Sequence, residues 1–267
     1  MESYGIRNQR QTNNKIDSHL ENLRINGFSI EEAIIEEEFC DKIASLLDQV
    51  YQTQEDSFGK ENLAKIKELD MVRMPFLYDQ TFFKIFMHDL VLELTSKYLG
   101  NVFHLHLQNG IINRPQRKHH QTSWHRDLPY QDWVISKPLG FNAFFCITDF
   151  NESNGATIVL PHSHQIDYFP NSKFIEDNQL QVNAPKGSII FFDSMIYHRA
   201  GVNLSDNVRY GINNMFVVPI LKQQIDLASY CSTMEHLDPK VAKILGVPYQ
   251  TPTSVDDYRT KRLNKLT

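Results

Sequence analysis

Trp124-His125-Arg126-Asp127 is the stretch that decides how this chain is read. His and Asp two residues apart on an extended strand point to the same side, so one segment can offer an imidazole and a carboxylate to a single ion. Arg126, between them, faces away. A third ligand must then come from elsewhere in the fold, and His198 is the candidate, with Arg209 eleven residues beyond it. Two imidazoles and one carboxylate are the ligands of the facial triad that holds a divalent iron and leaves the opposite positions open. The same three groups also suit zinc with a catalytic water. On its own His-x-Asp is weak in a chain with eleven histidines, where a hydrogen-bonded histidine beside a carboxylate is the ordinary case.

The surroundings add weight. Trp124 and the pair Asp132-Trp133 bracket the triplet. The run Asn154-Gly155-Ala156-Thr157-Ile158-Val159-Leu160-Pro161-His162-Ser163-His164 follows, and Lys186-Gly187-Ser188-Ile189-Ile190-Phe191-Phe192-Asp193 leads to His198. Arg209 sits in the next apolar strand, among Tyr210, Ile212, Met215 and Phe216. This order, from Gln108 to Val218, resembles the phytanoyl-CoA dioxygenase family of iron(II)/2-oxoglutarate oxygenases.

The resemblance implies a double-stranded β-helix, a jelly-roll or cupin-like core, with iron(II), 2-oxoglutarate and dioxygen as cofactor and co-substrates. His125, Asp127 and His198 become the metal ligands and catalytic centre. Arg209 becomes the partner of the distal carboxylate of 2-oxoglutarate, a role that suits a planar and permanently charged guanidinium. Gln108, on the strand entering the site, is expected to contact the co-substrate. Asn142 and Phe144 lie two apart and share a strand face, so they are candidates for the pocket wall, Asn142 toward co-substrate and Phe144 toward substrate. Tyr130 and Trp133 are candidates for the substrate mouth. The expected reaction converts 2-oxoglutarate to succinate and carbon dioxide while an unactivated C–H bond of a small-molecule metabolite is hydroxylated or otherwise oxidised. The carboxylate at Asp127 favours hydroxylation, since related halogenases place a small residue there. Two departures from the family pattern stand out. Ala200 lies where many relatives carry Ser or Thr, and His162 replaces a Gly.

Composition sets outer limits. The 267 residues suffice for one domain with a sizeable core. Net charge is −5 and the pI about 6.1, which argues against a nucleic-acid binder. So do Asn213 and Asn214, which stand where nucleic-acid demethylases of this superfamily typically carry a second Arg. The basic group Arg114, Arg117, Lys118, His119 and His120 reads as a solvated loop, and Arg73 as a surface ion pair. Three scattered cysteines make reduced thiols the simpler expectation. With no hydrophobic leader and no long apolar run, a cytoplasmic protein without a membrane span is expected. Oligomeric state stays open.

Along the chain, residues 1 to about 17 read as a tail, about 18–100 as mainly helical, about 101–220 as the β core and about 221–267 as an extension. His19 to Asn26 predicts a short helix, Phe28-Ser29-Ile30 a strand, and Glu31 to Tyr51 and Asp79 to Tyr98 amphipathic helices. Strands are expected over Val102 to Ile112, Leu139 to Thr148, Ala156 to Leu160, Ser188 to Phe192 and Val208 to Val218. The fold class is thus mainly β with flanking helices. Two other functional classes remain: a metal-dependent cupin-like isomerase or hydrolase needing no co-substrate, and a non-catalytic binding module on the same fold.

Overall fold

The computed structural model describes residues 4–6, 14–117, 119–128, 132–231, 234 and 237–264. In chain order the elements are α1 (Lys15–Ile25), β1 (Phe28–Glu31), α2 (Glu37–Phe58), α3 (Lys60–Lys65), β2 (Met71–Arg73), α4 (Phe83–Phe86), α5 (Asp89–Leu99), β3 (His104–Asn113), β4 (Gly140–Cys146), β5 (Thr157–Val159), α6 (Ser172–Asn178), β6 (Leu180–Gln181), β7 (Ile189–Asp193), β8 (His198–Ala200), β9 (Arg209–Val217), α7 (Leu227–Cys231), α8 (Pro239–Ile244) and α9 (Val255–Leu263). Helices supply more residues than strands, so the balance is mixed rather than mainly β. The difference comes from the length of α2 and from the helical C-terminal segment.

Two antiparallel sheets form the centre. The larger runs β1-β7-β4-β9-β3-β2 and the smaller β6-β5-β8. Both edge strands of the larger sheet come from the mainly helical part: β1 is the strand expected at Phe28-Ser29-Ile30, and β2 is an addition to it. β2 is only three residues long and was not legible as a strand. Lone bridges tie His125 to His198 of β8 and, loop to loop, Phe150 to Ala184.

Local chemistry explains most boundaries. α1 starts at Lys15, earlier than expected, because the Asn14 side chain accepts from the Asp17 amide and caps the first turn. Glu37 and Glu38 occupy the first turn of α2, where carboxylates offset the helix dipole. The helix expected over Asp79 to Tyr98 is broken. A 3₁₀ turn and α4 come first, His88 is extended, and α5 restarts with Asp89 in its first turn. Phe76, Phe83 and Phe86 pack with ring centroids 5.3 to 5.7 Å apart, which fixes the short α4 against the turn before it. Gly187 has φ +81°, and a Cβ there would lie 2.3 Å from the Ile35 carbonyl oxygen, so only glycine fits this turn into β7.

Strand alternation gives the larger sheet two different faces. Phe141, Phe145, Ile189, Phe191, Ile212 and Phe216 point toward the helices and join Leu23, Ile43, Leu47 and Leu94 in the main core. Phe144, Cys146, Ile190 and Phe192 point the other way and pack with Phe150, Val159 and Val182 beneath the smaller sheet. That second face carries the polar residues described below. Cys40, Cys146 and Cys231 are buried free thiols. Among the described residues, no helix is long and apolar enough to cross a membrane.

Phe191 is fully buried, stacked at 5.8 Å on Phe141 and edge-on to His19 at 5.4 Å. Phe191→Ala should therefore cost about 3–5 kcal/mol, read as a lower urea midpoint. Burial also holds the His104 and His120 imidazoles down to about 4 and His119 to about 3. These groups bind protons more readily when unfolded, so stability falls as the pH drops below about 6.5 toward 4. The melting temperature of metal-free protein should decrease steadily across that window and be insensitive to these groups above it.

Candidate metal centre

His125, Asp127 and His198 converge, with one ligand atom of each lying within 4.8 Å of the others. They reach this arrangement through a minimal ladder. The His125 amide donates to the His198 carbonyl, and the His198 amide donates back to the His125 carbonyl, both at 3.0 Å. Asp127 is held to the neighbouring turn by its amide, which donates to the Ser194 carbonyl at 3.0 Å. The expected single strand is thus one bridge residue followed by a bend, and it still turns both side chains inward. Arg126 faces away, as anticipated. It is buried, donates to the carbonyl oxygens of Ser163 and Ile166, and lies 3.9 Å over the Tyr197 ring.

The donor set is oriented for a cation. His125 Nδ1 bonds the Ser123 carbonyl at 2.8 Å, and His198 Nδ1 bonds the Ile196 carbonyl at 3.0 Å. A carbonyl only accepts, so each Nδ1 carries the proton and each Nε2 presents a lone pair. The Nε2 atoms lie 3.7 and 3.6 Å from Asp127 Oδ1, and His125 Nε2 is buried with no partner. Burial first, and then His125, holds the His198 imidazole down to about 4, which keeps it neutral and able to ligate. A divalent cation fits this set: two neutral nitrogens and one carboxylate oxygen aimed at one point.

The other oxygen of Asp127 is fully engaged. Oδ2 accepts from Asn142 Nδ2 at 2.7 Å and from Asn213 Nδ2 at 3.0 Å. Asn142 also donates to Asn213 Oδ1 at 2.9 Å, and its own Oδ1 accepts from the Ser194 hydroxyl. Asn142 therefore reaches the site, but in contact with the ligating carboxylate. In the sequence Asn213 counts only as the lack of a second Arg, and Ser194 carries no signal. A signal for Asn213 existed: positions 209, 211 and 213 share one face of β9, so a site at Arg209 implies one at Asn213.

Arg209 is 1% exposed, and its Nε and Nη1 have no hydrogen-bond partner. Its guanidinium lies 4.3 Å over the Phe150 ring, and no carboxylate pairs with it among the described residues. Burial lowers its pKa to about 10, still high enough to remain charged at neutral pH. Arg209 lines a small cavity with His198, Asn213, Phe144, Thr157 and Gln121. A buried, charged fork with free donors is what an anionic co-substrate requires.

Other expected site residues lie elsewhere. Gln108 is paired in register with Asn214 on the helix-facing side of the sheet, where its Nε2 donates to Asn214 Oδ1 at 2.8 Å and to the Phe82 carbonyl at 3.2 Å. Strand alternation turns it away from the triad, and its neighbour Asn109, opposite Asn213, takes the site-facing position. Trp133 lines a separate cavity with Tyr98, Leu128 and Asp193. Tyr130 lies outside the described residues. His162 adopts φ +65° and turns the chain, while its Nδ1 bonds the Ile25 carbonyl at 2.7 Å, in keeping with a structural role.

Comparison with known proteins agrees with this geometry. The sequence profile of the phytanoyl-CoA dioxygenase (PhyH) family matches residues 23–211. An uncharacterised protein of Mycobacterium tuberculosis is 31% identical over 261 residues, covering 93% of each chain, and one of Mycobacterium bovis matches equally. The dioxygenase cdmD of Talaromyces verruculosus is 28% identical over 122 residues, 45% of this chain and 39% of that one. Among solved structures, the epimerase SnoN in complex with Fe3+, alpha-ketoglutarate and nogalamycin RO shares the fold. Its TM-score is 0.60 at 14% identity, covering 84% of this chain and 92% of SnoN. The apo non-heme monooxygenase ThoJ has a TM-score of 0.60 at 16% identity, covering 78% and 80%. The chain belongs to the phytanoyl-CoA dioxygenase (PhyH) family, whose cofactor set is iron(II), 2-oxoglutarate and dioxygen.

Proposed function

We propose that this protein is an iron(II)/2-oxoglutarate-dependent dioxygenase that hydroxylates an unactivated C–H bond of a small-molecule metabolite, forming succinate and carbon dioxide. The observation that carries the proposal is Arg209. It is a buried guanidinium with two unpartnered nitrogens, in the same cavity as His198. A metal-dependent isomerase or hydrolase without a co-substrate does not in itself require that charge, whereas an anionic co-substrate does. The two antiparallel sheets with His125 and His198 bridged between them support the double-stranded β-helix reading of the core.

Iron(II) at this centre would supply dioxygen activation and one-electron chemistry that side chains cannot perform. The chain's own part is position and shielding. His125, Asp127 and His198 would hold the ion on one side and leave the other open. Asn142 and Asn213 fix the Asp127 carboxylate so that Oδ1 faces the ion. Arg209 would hold the distal carboxylate of 2-oxoglutarate by charge-assisted hydrogen bonds. Thr157, opposite Ala200 in register and lining the same cavity, is placed to provide a hydroxyl contact that Ala200 lacks. Phe144, Phe192 and Ile111 wall the cavity with apolar surface and exclude water from it.

The test is uncoupled turnover. Iron(II)-loaded protein in air should convert 2-oxoglutarate to succinate slowly even without its prime substrate. His198→Ala should reduce this to background and abolish iron binding. Arg209→Met should bind iron normally and raise the KM for 2-oxoglutarate by about 100-fold, the loss expected for a buried charge-assisted contact. Undiminished turnover in Arg209→Met would remove the basis of the proposal.

A further inference from the structure

The basic loop that reads as solvated in the sequence does not stand alone in the fold. Arg114, Arg117, His119 and His120 meet Lys60 and Lys67, from and just beyond α3, around one cavity of about 800 Å³. Thr122 and Ser123 complete its wall, and the Ser123 carbonyl is the group that orients His125. The cavity therefore reaches the backbone that presents a metal ligand. His119 and His120 line this outer space, and the next residue, Gln121, lines the inner cavity beside Arg209.

The charge balance here is uneven. Four cationic side chains share the wall with a single carboxylate, Asp70, in a chain whose net charge is −5. Asp70 is committed to Arg114 Nε at 2.7 Å and reaches Arg117 Nη1 at 3.5 Å, while Asp48 takes Arg114 Nη2 at 3.5 Å. Lys60 and Lys67 have no ion-pair partner among the described residues. Cations gathered around one concave wall repel one another and focus a positive potential that an anion relieves. An excess of this size exceeds what one carboxylate would balance and suits a phosphate or diphosphate, which carries two or more charges at neutral pH. A pocket, rather than an extended basic stripe, suits a small molecule rather than a nucleic acid.

We infer that this cleft binds a phosphate or diphosphate group carried by the substrate, and so selects a phosphorylated metabolite for oxidation at the adjacent metal centre. This rests on the proposed function for its meaning, but the anion site can be measured independently of it. Lys67 and Arg117 are the anchors to test, because both are exposed and neither touches a metal ligand.

The experiment titrates inorganic diphosphate into the full-length, metal-free chain by calorimetry at low salt. It compares wild type with the double variant Lys67→Glu/Arg117→Glu. Binding is expected in wild type and should weaken at least tenfold in the variant, with melting temperature and iron(II) binding retained. Equal binding by both proteins, or none by wild type, overturns the site. A second arm follows succinate formation by wild type with paired metabolites, phosphorylated and not. Stimulation by phosphorylated members alone is expected. Stimulation by the unphosphorylated members alone would mean that the cleft's anion is not part of the substrate, and would overturn the inference. Wild type that binds diphosphate yet forms no succinate would leave the anion site standing and count against the oxygenase reading instead.

Discussion

The centre depends on a pair of backbone hydrogen bonds. His125 and His198 exchange amide and carbonyl across 3.0 Å, and this one-residue bridge joins the loop after β3 to the first residue of β8. His198 is also paired with Val159 of β5, whereas among the described residues His125 has only this bridge to hold it. Together they set the two imidazoles 4.3 Å apart between ring centroids, with their outer nitrogens already tied to carbonyl oxygens. Geometry at the ion is thus specified by backbone, where rotamer freedom is small, and only afterwards refined by side chains.

The refinement is made by amides. Asn142 and Asn213, on adjacent strands of the larger sheet, both donate to one oxygen of Asp127. A carboxylate so held is left with its other oxygen free to face a cation. Uncharged donors achieve this without adding a competing positive charge beside the metal, as a lysine or arginine in their place would. The apolar Phe144, Ile190 and Phe192 around them supply the low-dielectric setting in which such contacts are strong.

Much of this could be seen in the chain beforehand, and the failures have definable causes. The convergence of His125, Asp127 and His198 was legible because one cation would demand particular donors at particular spacing, and Arg209 drew notice as a charge in an apolar strand. The long strands β3, β4 and β9 were legible because their apolar and β-branched residues are continuous. β2 and β8, three residues each, carry too little periodicity to be seen. The side taken by Gln108 is not legible in the sequence, because facing is set by its register with Asn214 in β9. The basic loop was read as solvated because the lysines that complete its cleft lie some fifty residues upstream in another element. Burial of α2 and α5 against the sheet was apparent from their apolar spacing. The break before α5 was not, because it depends on how Phe76, Phe83 and Phe86 meet in three dimensions.

The solitary buried charge of Arg209 has a consequence beyond catalysis. A guanidinium with no counter-ion among the described residues weakens the folded state that contains it, and an occupant of the cavity would remove the penalty. If 2-oxoglutarate is that occupant, it is a folding ligand as well as a reactant, and the native population rises with its concentration. Local openings around β9 and the Phe150 loop would then be more frequent when the metabolite is scarce, exposing the chain to proteolysis.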